Sequence, residues 1–312
     1  MLLSEVVAFL LFLGAVGLVY LLEGAILVRA VWDKRRGRKA GRILWSKPAI
    51  IVHALAGIGL ACLLYGRFIE PTWIEVNRFD IETPALEQAR FRIVHISDLH
   101  CDAEPLNEQQ TISLINAMEP DVIVFTGDAL NSEQGIPRFK QTMSDLRAKL
   151  GKFAVRGNFE TGRMRNADLY EGTGFTLLEN ATEVLEKNDE TISISGLACD
   201  WPDKAGQLLS TIDTDRYTIF LHHWSDLIEQ ASDADVDLYL CGHTHGGQVA
   251  LPFYGAIITL SKLGKKYEAG LYQVDTTQMY VNRGLGVEPP PAPKVRFLAR
   301  PEIAVFDIRP KR

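Results

Sequence analysis

Cysteine is scarce in this 312-residue chain, and the four present, Cys62, Cys101, Cys199 and Cys241, share no CxxC or zinc-ribbon spacing. That excludes a disulfide framework or a cysteine-based zinc site as the organising feature, and the four read as small, buried, reduced side chains. Cys101 and Cys241 flank polar motifs, which leaves a redox-sensitive pair open. Basic charge is short over most of the chain. Residues 1–70 hold nine of the 33 Lys and Arg and four of the 39 Asp and Glu, leaving 24 against 35 beyond them. A body that acidic is a poor nonspecific partner for polyanions, so no nucleic-acid partner is expected. There is also no internal repeat and no low-complexity tract.

Long apolar runs are what the N-terminal part does have. Residues 5–22 form one, and "PAIIVHALAGIGLACLLY", Pro48 to Tyr65, forms another. Each is close to the ~20 residues a helix needs to cross a bilayer core. Between them lie Lys34, Arg35, Arg36, Arg38, Lys39, Arg42 and Lys47. A basic loop between two spans is held on the cytoplasmic side. The expectation is a multi-pass anchor in the inner (plasma) membrane, with the rest of the chain on the extracytoplasmic side. A signal peptide needs a basic start, and "MLLSE" is acidic. A buried helical hairpin would not need seven cations in its turn. His53 reads as a helix-contact residue, and Glu23 and Arg29 are expected at or beyond the end of the first span. The chain divides into a transmembrane hairpin over 1–70, a juxtamembrane linker over 71–90 that becomes an edge strand, and a catalytic domain over 91–312.

From residue 91 the rhythm is strand and helix. "FRIVHIS", "DVIVFTG" and "KFAVRG" read as strands, with helical spacing in "NEQQTISLINAM" and "IPRFKQTMSDLRAKL" between them. Later strands are "TISISGL", "YTIFLHH", "VDLYLCG", "EAGLYQV", "QMYVN" and "EIAVFDI". This order predicts an α/β layered sandwich. "VEPPPAPK", Val287 to Lys294, reads as a stiff proline loop inside it.

The chemistry lies where the strands stop. "ISDLH" supplies Asp98 and His100, "TGDAL" supplies Asp128, and "RGNFE" supplies Asn158. "LHHWSD" supplies His222 and His223, and "CGHTHGG" supplies His243 and His245. In open α/β sheets, functional groups gather beyond the carboxyl ends of strands. Any one of these motifs alone is weak; the five in order are not. Carboxylate and amide oxygens mixed with imidazoles suit two divalent transition-metal ions, Mn, Fe or Zn. One carboxylate can bridge two such ions ~3.5–4 Å apart for phosphoryl chemistry.

This ordered set resembles the calcineurin-like metallophosphoesterase superfamily over roughly residues 91–312. "EPTWIEV", "GHTHGGQVALP", "NRGLG" and "RFLARPEIAVFDI" resemble its bacterial membrane-associated branch. The resemblance implies a four-layer αββα sandwich and a two-metal site. By position, Asp98, His100, Asp128 and His245 would bind the first metal. Asp128 would bridge, with Asn158, His223 and His243 completing the second. Alignment with the family's fourth motif favours His223 over His222, and strand alternation independently lets only one of the two neighbours face the metals. Water activated by the metals would attack phosphorus in line.

One position departs from the family. In "VRGNFE" the residue after Asn158 is Phe159, where the family carries a His that assists the leaving oxygen; Phe159 cannot donate or accept a proton. Three residues after Asp128, Asn131 stands where the family commonly has an Asp that orients that His. Three readings follow: a substrate whose leaving group needs no proton, such as a pyrophosphate or activated phosphodiester; another acid, from His222, Glu160 or a metal-bound water; or a metal-binding pseudoenzyme or sensor. Glu160 equally reads as a residue that holds the turn. Phe159 is also a candidate substrate contact, by stacking or by lining an apolar slot.

Arg283 in "NRGLG" is a candidate phosphate contact, with a structural salt bridge as the alternative. "LPFYGAIITLSKLGKKY", Leu251 to Tyr267, mixes apolar residues with Lys262, Lys265 and Lys266. Beside a membrane anchor it suits a phosphorylated, lipidic small-molecule substrate, or else an ordinary core strand with a lysine turn. The resemblance includes enzymes acting on UDP-diacylglucosamine. That substrate is cytoplasmic, which conflicts with the outward orientation expected from the basic loop.

Overall fold

The computed structural model describes residues 2–39, 41–165, 167–290 and 292–311; Met1 and Arg312, at the outer limits of the expected hairpin and catalytic domain, and Pro291 of the proline loop lie outside them. The chain begins with helix α1 (Leu3–Arg35), a short α2 (Gly41–Leu44) and α3 (Lys47–Phe68). α1 and α3 are both long and apolar enough to cross a membrane. Their leucines face outward, Leu11 at 70% exposed and Leu21 at 74%, which a soluble core hairpin would bury. The two helices pack against each other. Tyr20 Oη donates to the Ala56 carbonyl at 3.1 Å, and His53 Nδ1 lies 2.6 Å from Glu23 Oε2. His53 is the helix contact expected of it. Glu23, however, sits well inside α1, because the helix continues past the apolar run to Arg35.

The rest of the chain forms two six-stranded sheets. The strands are β1 (Glu75–Thr83), β2 (Phe91–Ile96), β3 (Val122–Phe125), β4 (Gly151–Ala154), β5 (Thr176–Leu177), β6 (Ala181–Lys187) and β7 (Glu190–Gly196). They continue with β8 (Tyr217–Leu221), β9 (Leu238–Cys241), β10 (Ala250–Leu251), β11 (Gly255–Ala256), β12 (Gly270–Val274), β13 (Thr277–Val281) and β14 (Glu302–Pro310). One sheet runs β1-β14-β2-β3-β4-β5, the other β12-β13-β9-β8-β7-β6, and β10-β11 is a small separate hairpin. β2 to β5 are parallel, as are β7, β8, β9 and β13.

The layers follow from side-chain alternation. In β3, Val122 and Val124 point into the core between the sheets, where they join Ile194, Ile219 and Leu240 of the second sheet. Ile123 and Phe125 point the other way, onto Ile115 of α4 (Glu108–Ala117) and Phe139 of α5 (Ile136–Asp145). On the far side, Phe220, Tyr239 and Met279 pack on Leu208 of α7 (Ala205–Leu209) and Ile228 of α8 (Ile228–Asp233). A fifth short helix of this body, α6 (Asn158–Gly162), follows β4. The result is the αββα sandwich.

β1 pairs in parallel with β14 along its whole length, so the segment after the hairpin is an edge strand of the first sheet and not a free linker. β5 and β6 have no counterpart among the expected strands. β6 is an edge strand with Thr182, Glu183, Val184 and Glu186 exposed, so its sequence carries too little apolar alternation to be read. The lysine segment is not a core strand, and its Lys262 and Lys266 are exposed. It contains the β10-β11 hairpin, with Lys262 on Asp226 at 2.8 Å and Lys265 on Glu268 at 2.9 Å. The four cysteines are unpaired, and burial raises the Cys199 thiol to about 12.

Candidate metal centre

Five strand ends deliver the site. Asp98 and His100 follow β2, Asp128 follows β3, Asn158 follows β4, His222 and His223 follow β8, and His243 and His245 follow β9. Turning the chain sharply enough to aim these groups at one point has a conformational cost. Asp98, His100, Asp128, His243 and His245 all have positive φ, between 44° and 72°, a region that L-residues with side chains rarely adopt. Such strain persists where the surroundings over-determine it, and it clusters at functional sites. Gly127, at φ 97°, lets the β3 turn press against the backbone of Gly157, which brings Asp128 next to Asn158.

The ligand atoms fall into two groups. Asp98, His100 and His245 form one; Asp128, His223 and His243 form the other. Asp128 lies between them, with Oδ2 3.2 Å from His223 Nε2 and 3.8 Å from His100 Nε2. Asn158 Oδ1 is 3.1 Å from His223 Nε2. His222 is excluded from the cluster. Its Nδ1 faces the Leu197 carbonyl at 3.0 Å and its ring lies parallel to Phe220, the outward result of strand alternation.

The hydrogen bonds around the site preset most of these rings as ligands. His223 Nδ1 donates to the Thr126 carbonyl at 2.7 Å, so Nε2 is the ring atom turned toward Asp128 and Asn158. His100 Nδ1 donates to Asn131 Oδ1 at 2.9 Å, so its Nε2 is also a lone pair. The Asn131 orientation is set by its amide, which donates to Asp102 and to the Val287 carbonyl. His243 Nε2 reaches the Leu260 carbonyl at 3.4 Å, and its Nδ1 is buried with no partner among the described residues. Asp128 Oδ2 is buried and equally unpartnered. Buried carboxylate and imidazole ligand atoms converging on two points are what a cation site requires. His245 differs. Arg296 Nη2 lies 3.2 Å from its Nδ1, which places the ring proton on Nε2, toward Asp98 at 3.4 Å, and this proton must leave if Nε2 is to bind a metal.

The electrostatics agree with a cation. Burial alone would raise Asp98, but His245, His223 and His100 hold its carboxyl well below the usual carboxylate range. Burial, then His245, lowers His100 to about 4, which leaves it neutral and free to ligate. Burial opposes charge on His223 too, yet Asp128 and Asp98 draw it up to about 10. A divalent ion among the same groups would supply the positive charge that these carboxylates draw onto His223.

Three expected contacts have other partners. Glu160 is buried, and its carboxylate accepts from the amides of Asp128 at 3.0 Å, Ala129 at 2.6 Å and Gly157 at 2.9 Å. It ties the second and third motifs together. Arg283 pairs with Glu302 and with Glu75, the latter at 2.6 Å, so the salt-bridge alternative describes it. Phe159 donates its amide to Asp128 Oδ1 at 2.9 Å, while its ring stands edge-on to His100 with centroids 4.9 Å apart. Arg163 lies over the same ring, 5.1 Å from its centroid.

Several participants escape a reading of the sequence. Trp224 Nε1 donates to Asn158 Oδ1 at 3.3 Å. Glu288 brings a third carboxylate to 3.6 Å from His245 Nε2. Arg296 is fully buried and threads donors to the carbonyls of Gly286 and Ala299 beneath His245. Asn131 alone had a signal, its place three residues after Asp128, but its partner is the ligand His100.

The profile of the calcineurin-like phosphoesterase family matches residues 91–247. An uncharacterized metallophosphoesterase of Bacillus subtilis (strain 168), YkuE, is 38% identical over 78% of this chain and 89% of its own length. The phosphodiesterase YaeI of Escherichia coli (strain K12) is 28% identical over 78% of this chain and 92% of its own. The UDP-2,3-diacylglucosamine pyrophosphatase LpxG of Chlamydia trachomatis is 26% identical over 78% of this chain and 92% of its own. With the ligand geometry above, these matches make the chain a member of the calcineurin-like phosphoesterase family, and so a metal-dependent phosphoric ester hydrolase.

Proposed function

We propose that the chain is a two-span membrane phosphoesterase that hydrolyses a P–O bond in a phosphodiester or pyrophosphate. The observation that carries this reading is Asp128, whose unpartnered Oδ2 lies between His223 and His100 and so between the two ligand groups. Asp98, His100, Asp128 and His245 would hold one divalent metal; Asp128, Asn158, His223 and His243 would hold the other. Two such ions would supply an activated water and charge stabilisation of the phosphoryl oxygens. The chain's own residues orient them. Thr126 and Asn131 set the ring positions of His223 and His100, and Glu160 locks the Asp128 turn to the Asn158 turn.

Phe159 offers no proton to a leaving oxygen, so the favoured substrate is one whose leaving group needs none. A pyrophosphate linked to a lipid, the class named for the Chlamydia relative, meets that condition. The apolar lining beside the ligands supports a lipidic substrate. The N-terminus of α1 and the C-terminus of α3 both meet the catalytic body, through Glu5 on Thr259 and Gly66 on Arg296. The basic loop is thus at the far end of the hairpin. Held in the cytoplasm, it leaves the body outside.

The test uses the full chain. Metal analysis should find about two ions per chain, and Asp128→Ala should lose metal and hydrolysis together. Substoichiometric metal with full activity would sink the mechanism. Full loading without turnover on any phosphodiester, pyrophosphate or aryl phosphate would establish the alternative, a metal-binding pseudoenzyme. A C-terminal reporter active only in the cytoplasm would overturn the orientation.

A further inference from the structure

A cavity of about 670 Å³ joins the metal ligands to the first membrane helix. His243, His245 and Phe159 line it, and so do Phe9, Phe12 and Leu13 of α1. Positions 9, 12 and 13 share one helix face, so α1 presents a continuous apolar wall to the site. Ile257, Ile258 and Leu260 extend the apolar lining. The volume is that of an ordinary small-molecule pocket.

The wall is anchored by a specific contact. Glu5, in the first turn of α1, is 1% exposed. Its Oε1 accepts from the Thr259 amide at 3.1 Å and from Thr259 Oγ1 at 2.6 Å. A buried carboxylate is tolerated only with such donors. The next residue, Leu260, lines the cavity and receives His243 Nε2 at its carbonyl. One short segment therefore touches the membrane helix, the cavity and a candidate metal ligand.

We propose that Phe9, Phe12 and Leu13 are specificity-determining residues: they form the wall against which an apolar chain esterified to the substrate phosphate lies, and Glu5 is the positioning residue that holds this wall. The inference rests on the phosphoesterase reading of the metal centre. A phosphate placed at His243 and His245 leaves its substituent to enter the remaining space, and that space is apolar. Each methylene fully buried there should raise kcat/KM by roughly three- to four-fold.

The experiment uses metal-loaded full-length chain in lipid nanodiscs and p-nitrophenyl alkyl phosphodiesters with methyl, butyl and octyl chains. Wild type should prefer octyl over methyl by at least about ten-fold. Phe12→Trp, which fills the pocket, and Glu5→Ala, which frees the wall, should each cut that preference by about three-fold or more. Glu5→Gln keeps an acceptor for Thr259 and should restore it, which a merely misfolded helix would not show. Partition into the bilayer raises the octyl ester alike for every variant, so the ratio between variants isolates the pocket. An unchanged octyl preference in Phe12→Trp and Glu5→Ala overturns the proposal, while hydrolysis of the methyl ester keeps the phosphoesterase reading intact. If no ester is hydrolysed, the phosphodiester half of that reading fails and calorimetry decides the pocket. Octylphosphonate binding more tightly than methylphosphonate to wild type but not to Phe12→Trp supports the wall; equal binding in both overturns it.

Discussion

Asn131 Oδ1 accepts the Nδ1 proton of His100 at 2.9 Å, so the residue three positions after Asp128 fixes the tautomer of a candidate metal ligand. Partners of this kind typically affect metal affinity by ~10–100-fold when removed. Asn131→Leu should therefore weaken one of two metals by about that factor. Metal content measured against a graded chelator checks it. Asn131→Asp keeps the acceptor and should retain the metal; equal loss in both variants would remove Asn131 from this role.

Glu160 gives a contrast between holding and reacting. Its carboxylate accepts three buried amides, so Glu160→Ala leaves donors without partners and should cost about 2 kcal/mol or more in unfolding free energy. Denaturant unfolding reads the loss. A general acid would instead reveal itself as a missing limb in the pH profile of kcat, with stability unchanged.

Phe159 stands edge-on to His100 and beside the cavity, where a leaving oxygen would need a donor. Hydrolysis by wild type should fall steeply as leaving-group pKa rises. Phe159→His should help alkyl leaving groups most, by up to ~10²-fold, and nitrophenyl groups least. A flat dependence in wild type would mean that some other group already delivers the proton.

His95 sets a pH dependence away from the ligands. It is fully buried, with Nε2 2.9 Å from Thr126 Oγ1, and burial lowers it from 6.5 to about 3. Between those values only the unfolded chain binds the proton. Its contribution is therefore complete above pH 6.5 and is lost as pH falls toward 3, at up to ~1.4 kcal/mol per pH unit. Unfolding midpoints at saturating metal from pH 7.5 to 5.5 should fall less in His95→Gln than in wild type. Parallel slopes would dismiss His95 as the source.

The order of the five motifs, the two apolar runs and the basic loop are local features, and local features are legible because each needs only its own neighbours in the chain. That only one of His222 and His223 faces the cluster was legible for the same reason, since adjacent strand residues face opposite sides; which one came from the family motif. β6 was not legible, because an exposed edge strand carries little periodic apolar signal.

By itself the amino-acid sequence determined the candidate ligand types, their order along the chain and the hydrophobic hairpin before them. Only the tertiary structure decided what each polar group does with its hydrogen bonds. Arg283 could have met a phosphate and meets Glu302; Glu160 could have been an acid and accepts three amides; Asn131 could have been a lost partner and holds His100. It also decided that α1 walls the site, through Glu5 and Thr259, which lie 254 residues apart. The physical reason is that a side chain's chemistry is intrinsic to its type, whereas its partner is set by packing between segments that the sequence does not place next to each other.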